Sequence, residues 1–194
     1  DSQILGISTF PYSLKDFFLE GTQQVSASWI TLENLSFPYC ISINSSYIYE
    51  QSTDERINQN DAAITLAHEL GHYLGLRHVF SEGGTTSMCT DTDYCKDTPS
   101  YNRSEYEQWL NNLDKQNKYQ LKDLAKRYSC EKGEYEAHNI MDYAYCFYNE
   151  ITLEQRKRIR HILNYSPLIP GPKESRIDTR GVQDRLNLPI CIMK

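Results

Sequence analysis

"HELGHYLGLRH", residues 68–78, carries three of the chain's five histidines, one glutamate and two glycines. Helix propensity does not explain this crowding, because histidine is a middling helix former and a glycine costs about 1 kcal/mol relative to alanine in a helix interior. Upstream, Asp61 suits an N-cap, and Ala63, Ala67, Leu70 and Leu74 recur at helical spacing as one apolar stripe. A helix is therefore expected from Asp61 to Gly75, where glycine takes the left-handed position that ends it. On that helix His68 and His72 lie one turn apart on one face, within reach of one metal ion. Gly75 lets the chain turn so that His78 returns beneath the same ion, completing a three-histidine zinc site with one position open to water. Glu69 is then placed to take the water's proton and pass it to a leaving amine. The chemistry expected is metal-assisted hydrolysis of a carbonyl substrate.

The chain's 194 residues, 39% of them apolar, suffice for one domain or two subdomains sharing a cleft. The net charge is −6, and the basic run "RKRIRH" (156–161) falls in an amphipathic helix as a solvated face, so no nucleic-acid partner is expected. No apolar run approaches the roughly 18 residues of a membrane span. The opening "DSQILGISTF" lacks the features of a signal peptide, so any export signal is expected to have been removed or left out. Six cysteines (40, 89, 95, 130, 146, 191), none in Cys-x-x-Cys spacing, read as disulfides of an exported or cell-surface protein, with free thiols of a cytosolic protein as the alternative. Asn34, Asn44, Asn102 and Asn164 each begin an Asn-x-Ser sequon.

Residues 4–10 and 39–50 read as strands, the second alternating as a half-covered or edge strand does. Residues 81–100 form a polar loop in which Glu82, Asp91, Asp93 and Asp97 make an oxygen-rich set suited to calcium. A helix is expected from Ser104, boxed by Glu107, with Trp109, Leu110 and Leu113. A second helical piece carries Leu121, Leu124, Ala125 and Tyr128. After "HNIMDYAYC" (138–146), Thr152 and Gln155 form another capping box, with Ile159, Ile162 and Leu163 facing inward.

The pattern His-Glu-x-x-His-x-x-Gly-x-x-His resembles the signature of the metzincin zinc endopeptidases, and Met141 in "NIMDY" (139–143) resembles their Met-turn methionine. "LGISTFP" (5–11), "HVF" (78–80), "DTP" (97–99) and "MDY" (141–143) resemble, in order, segments of the pappalysins, and the likeness covers about residues 4–165. The resemblance implies an α+β metzincin fold, with an upper mixed sheet and active-site helix over residues 1–76. A lower, helical and irregular subdomain with the Met-turn would span 77–165, and a tail 166–194. It implies a secreted or surface zinc endopeptidase acting on extended polypeptide held along strand 39–50. Tyr143 would stabilise the tetrahedral intermediate, and structural calcium would sit at Asp91, Asp93 and Asp97. It further implies disulfides Cys89–Cys130 and Cys95–Cys146, leaving Cys40 and Cys191 to pair with each other. The metzincin pattern places a first strand, a backing helix and any propeptide upstream of residue 1, and similar bacterial proteins are often lipid-anchored. After the Met-turn the chain departs from the family, with Ala144, Tyr145, Phe147 and Tyr148 and no acidic residue until Glu150. An apolar pocket for the residue after the scissile bond is expected there. Two other functions compete: a zinc-containing binding module with little turnover, and a metal-dependent amidase acting on a small or cell-wall substrate. Retention of Glu69 favours hydrolysis.

Overall fold

A computed structural model of the chain describes residues 4–35, 39–47, 61–82, 88–114, 121–129, 131–143 and 145–169. Four short strands come first: β1 (Gly6–Ser8), β2 (Tyr12–Leu14), β3 (Gln23–Val25) and β4 (Ile41–Ile43). The helix α1 (Ala62–Tyr73) follows, then α2 (Arg103–Asp114), α3 (Leu121–Leu124), the hairpin β5 (Lys126–Ser129) and β6 (Gly133–Glu136), and α4 (Leu153–Tyr165). β1 and β4 pair antiparallel with Ile7 opposite Ser42, and both pack on α1. β2 and β3 pair parallel with Ser13 opposite Gln24. Among the described residues the expected upper mixed sheet is thus two separate pairs. The expected strand 39–50 narrows to β4, because Asn44 ends it. The Asn44 Oδ1 accepts from Ser46 N at 3.0 Å and its Nδ2 donates to Ile4 O at 2.8 Å, which turns Ser45–Tyr47 into a 3₁₀ helix. Residues 48–50 lie outside the described set.

Asp61 caps α1 as expected, its Oδ1 accepting from Ala63 N (2.8 Å) and Ile64 N (3.3 Å). Gly75 ends it at φ +87°. The inward face differs from the expected stripe. Thr65, His68, Glu69 and Gly71 are buried, whereas Ala63 is exposed and Leu70 is 43% exposed. The helix buries the face that carries the site, and Gly71 is what allows it, since a Cβ there would overlap the Met141 Sδ packed beneath.

The cap of α2 is Asn102, not Ser104. Its Oδ1 accepts from Glu105 N at 3.1 Å, and Glu107 instead pairs with Arg103 (Nε to Oε1, 2.7 Å). The expected second helical piece stops at Leu124. From Lys126 the chain is strand, paired with β6, and it points Arg127 inward and Tyr128 outward. The Thr152–Gln155 box of α4 is present, Ile162 is buried, and Leu163 faces solvent. In the basic run Arg156, Lys157 and Arg160 are solvated, but Arg158 turns inward and donates to Gly75 O (3.1 Å) and Glu20 O (2.9 Å).

Leu76, Val79, Phe80, Tyr101, Tyr106 and Met141 form one apolar cluster, and Tyr39, Ile162 and Ile169 form a second with Tyr73 and Leu74. At about 1.5–3 kcal/mol for each large apolar side chain buried, the first cluster anchors the chain on either side of His78. Cys89 is disulfide-bonded, and Cys130 and Cys191 lie outside the described residues. Cys40, Cys95 and Cys146 are free, so the expected Cys95–Cys146 and Cys40–Cys191 bridges are not formed. Each buried thiol is satisfied on its own loop: Cys95 Sγ by Asp93 O, and Cys146 Sγ by Asn139 O at 3.2 Å and Tyr148 N at 3.4 Å. Among the described residues no helix is long and apolar enough to cross a membrane.

Candidate metal centre

The three histidines meet through the same ring nitrogen. His78 Nε2 lies 3.1 Å from His68 Nε2 and 3.0 Å from His72 Nε2. Each Nδ1 is committed to an oxygen that can only accept: His68 to Ile140 O (2.7 Å), His72 to Leu76 O (2.8 Å) and His78 to Glu82 Oε1 (2.5 Å). The Nδ1 atoms therefore carry protons, and the rings turn their three Nε2 atoms towards one point. Burial, then the neighbouring histidines, lowers His68 to about 3 and His72 to about 4, so both are neutral at ordinary pH, as metal binding would require. Like lone pairs this close repel unless a cation lies between them. A tetrahedral zinc with bonds of about 2.0–2.1 Å spaces its nitrogens about 3.3 Å apart; the two distances to His78 come close to this, and all three ligand atoms lie within 4.8 Å of one another. Among the described residues no other group of histidine, cysteine or acidic side chains is placed to hold a metal ion.

Glu82, read from the sequence with the calcium loop, belongs to this centre instead. Its Oε1 also accepts from His78 N (3.2 Å), and Oε2 accepts from Arg77 Nη1 (3.3 Å). Burial works against its charge, but the His78 hydrogen bonds and Arg77 hold its carboxyl down at about 2. Arg77 in turn donates to Gly21 O at 2.7 Å, which ties the His78 segment to the β2–β3 side of the fold. A carboxylate behind a ligating histidine fixes its tautomer and direction.

Glu69 is buried beside His68, with Gly6 of β1 against it; a Cβ at Gly6 would come within 2.7 Å of Glu69 Cγ. Burial pushes its carboxyl up to about 7, a suitable range for a group that takes and returns a proton near neutrality. Met141 is wholly buried under Gly71. Its turn is tied to the helix by Ile140 O on His68, and to the segment after it by Met141 O, which accepts from Val79 N (3.3 Å). Asn139 holds the turn's start, its Oδ1 accepting from Met141 N (3.0 Å) and its side chain paired with Gln155 of α4. Tyr143 brings its ring to 4.3 Å from His78 and 5.5 Å from His68, between centroids, and is itself part-exposed.

The remaining candidates are placed less directly. Asp93 is buried and spent on Cys95 N (2.9 Å) and Thr98 Oγ1 (2.6 Å), and Asp97 accepts from Glu154 N (2.9 Å) at the start of α4. Asp91 accepts from Asp93 N at 3.1 Å. These oxygens brace the loop, and the described geometry adds no support for calcium. Phe147 is part-exposed and stacks on His138 at 4.7 Å, while Tyr145 (φ +26°) and Tyr148 (φ +51°) hold left-handed backbone, which costs about 1–3 kcal/mol for such residues. Ala144 lies outside the described residues. The sequence reading missed Gly71, Arg127, Tyr101 and Asn139, and saw Gln155 only as a helix cap and not as the partner of Asn139. Only the side-chain amides of Asn139 and Gln155, flanking the Met-turn, offered a signal.

Compared with known proteins, the chain matches over residues 29–164 the peptidase M43 family, described as pregnancy-associated plasma protein-A. The chain belongs to this family. It is therefore a pappalysin-like metzincin with the α+β fold expected of one. Curated relatives named "Extracellular metalloprotease" from Arthroderma benhamiae and Trichophyton verrucosum are each 37% identical over 108 residues, 54% of this chain and 32% of theirs. One of the same name from Arthroderma otae is also 37% identical over 108 residues, covering 33% of its length. The chain spans about a third of the length of these relatives. No solved structure matches it significantly.

Proposed function

We propose that the chain is the catalytic unit of a secreted zinc-dependent endopeptidase that cuts extended polypeptides. The observation that carries this reading is the approach of His68 Nε2 (3.1 Å) and His72 Nε2 (3.0 Å) to His78 Nε2, each histidine locked by an oxygen on its Nδ1, with Glu69 next in sequence to the first. His68, His72 and His78 would hold the metal, and Met141 floors the site. Bound there, zinc supplies the Lewis acidity that activates water and polarises the scissile carbonyl.

The chain's own groups do the rest. Glu69 takes the proton of the attacking water and delivers it to the leaving amine. Tyr143 donates its O–H to the negative charge developing on the carbonyl oxygen, a charge that grows only as the bond to water forms. β4 pairs with β1 along one edge, and its other edge would receive the backbone of an extended substrate. Tyr145, Phe147 and Tyr148 line the pocket for the residue after the cut. Asp142 is buried and spent inside the fold, so this wall has no carboxylate before Glu150. Secretion rests on the relatives' extracellular naming and on the bonded Cys89.

The test is digestion of a reduced, alkylated protein substrate. Cleavage is expected at internal bonds, to stop on chelation, and to return with stoichiometric zinc. A zinc-loaded chain that releases no internal fragments would overturn the proposal.

A further inference from the structure

Tyr143 is gripped through its backbone at both ends. Its N–H donates to Asp142 Oδ1 at 2.7 Å, and its carbonyl accepts from Arg127 Nη2 at 3.1 Å. Arg127 comes from β5, a part of the chain that carries no other residue of the site. Its Nε lies 3.3 Å from Asp142 Oδ2, and the two side chains are 0% and 2% exposed. Around this pair, Tyr101 donates its O–H to Asp142 Oδ1 at 2.6 Å, and the guanidinium lies 3.7 Å above the Tyr106 ring. Arg127 Nη1 reaches Leu124 O (2.9 Å) and Lys126 O (3.1 Å).

A buried ion pair is weak support for stability, because desolvating two charges offsets most of their attraction, and an apolar pair of like volume often serves as well. The Met-turn itself is already held by Asn139 and Gln155, and Met141 by packing. What the pair adds is a hold on the Tyr143 backbone on both sides of the Cα from which the ring departs. The ring then meets His78 on one side, and Phe80 (5.0 Å) and the Arg103 guanidinium of α2 (4.7 Å) around the rest.

We propose that Arg127 and Asp142 are positioning residues that clamp the Tyr143 backbone so that its hydroxyl is pre-aimed at the scissile carbonyl. The proposal rests on the reading of Tyr143 as the group that stabilises the developing charge. Arginine is needed because its planar fork donates to three carbonyls while its charge lies 3.3 Å from Asp142, which a lysine ammonium at the end of a flexible stem cannot do. The clamp raises the rate by removing the cost of orienting the tyrosine, and it leaves metal binding alone.

A double-mutant cycle on the zinc-loaded chain separates the possibilities. Tyr143→Phe is expected to lower kcat between tenfold and a hundredfold. Arg127→Lys is expected to lower kcat about tenfold, with KM within twofold and one zinc per chain. Placed in the Tyr143→Phe background, Arg127→Lys should change kcat less than twofold, because the group it aims is gone. If Tyr143→Phe has parental kcat, the reading of Tyr143 fails, and the clamp's catalytic purpose with it. If Tyr143→Phe is slow but Arg127→Lys costs the same in both backgrounds, or loses zinc, the clamp fails alone. Should Arg127→Lys not fold, Asp142→Asn keeps acceptors for Tyr101 and Tyr143 but drops the charge, and the same cycle with it decides.

Discussion

Glu82→Ala should loosen zinc without touching any atom that binds it. The carboxylate accepts two N–H groups of His78, at 2.5 Å from Nδ1 and 3.2 Å from the backbone, and one from Arg77 at 3.3 Å. Charge-assisted bonds of this kind are worth about 1.5–3 kcal/mol. Part of that loss returns as water reaches His78 Nδ1, whose side chain is 13% exposed. Loss of a carboxylate behind a ligating histidine typically weakens metal affinity about 10–100-fold, or about 1.4–2.7 kcal/mol, and the structure places Glu82→Ala within that window. Glu82→Gln, which keeps a neutral acceptor, should fall between the parent and the alanine variant. Competition against a chromophoric chelator at fixed pH gives the zinc Kd directly. A Glu82→Ala Kd within threefold of the parent would refute the reasoning, since it would mean that packing by Phe80 and Tyr143 alone aims His78.

The same carboxyl predicts a pH dependence. Its folded pKa, about 2, lies below the ordinary 4.5, so its contribution to stability is full above about pH 4.5 and is lost as pH falls towards 2. In metal-free protein the gap in thermal midpoint between the parent and Glu82→Gln should narrow over that window, and a gap constant from pH 6 to 2.5 would contradict the pairing. Gly71→Ala drives a Cβ into Met141 Sδ and should destabilise by about 1–3 kcal/mol in denaturant unfolding, whereas an unchanged midpoint would show that the Met-turn is not packed on α1 as described. Alkylation followed by mass spectrometry should label Cys95 and Cys146 only after unfolding and leave Cys89 unlabelled until reduction; a Cys95–Cys146 cross-link would restore the family pairing. Digests of proteome-derived peptides should show a medium or large apolar residue after the cut, because an unpaired guanidinium is costly to desolvate in an aromatic pocket; dominant arginine would point to Glu150 as its partner.

The metal centre was legible in the sequence because its geometry is local: a helix period places His68 and His72, and one left-handed glycine returns His78. Caps written in short-range code were legible too, at Asp61 and at Thr152 with Gln155. Asn102 displaced Ser104 as the cap of α2 because both residue types satisfy the same donors, and only the chain's path chooses between them. The apolar stripe of α1 misled for a physical reason: around an active site the polar face is the buried one, and Gly71, invisible to a hydrophobicity pattern, is what lets Met141 close beneath it. Glu82 looked like a calcium ligand because composition records charge and not direction. Arg127 and Asp142 lie fifteen residues apart on a strand and a turn, and no spacing rule joins them. The cysteine pairing, carried over from relatives, failed at Cys95 and Cys146 because each sulfur finds its partner within its own loop.

The measurement that bears most directly on the whole account is the activity of Glu69→Ala at known zinc content. The ligands and Met-turn do not depend on the Glu69 carboxylate, so the variant should hold one zinc per chain and unfold at the parental midpoint within a few degrees. Its cleavage of an unfolded polypeptide should fall by at least a hundredfold, because the group that moves the proton is gone. A fully zinc-loaded Glu69→Ala that cleaves within tenfold of the parent would contradict the assignment of the site as a glutamate-assisted zinc peptidase.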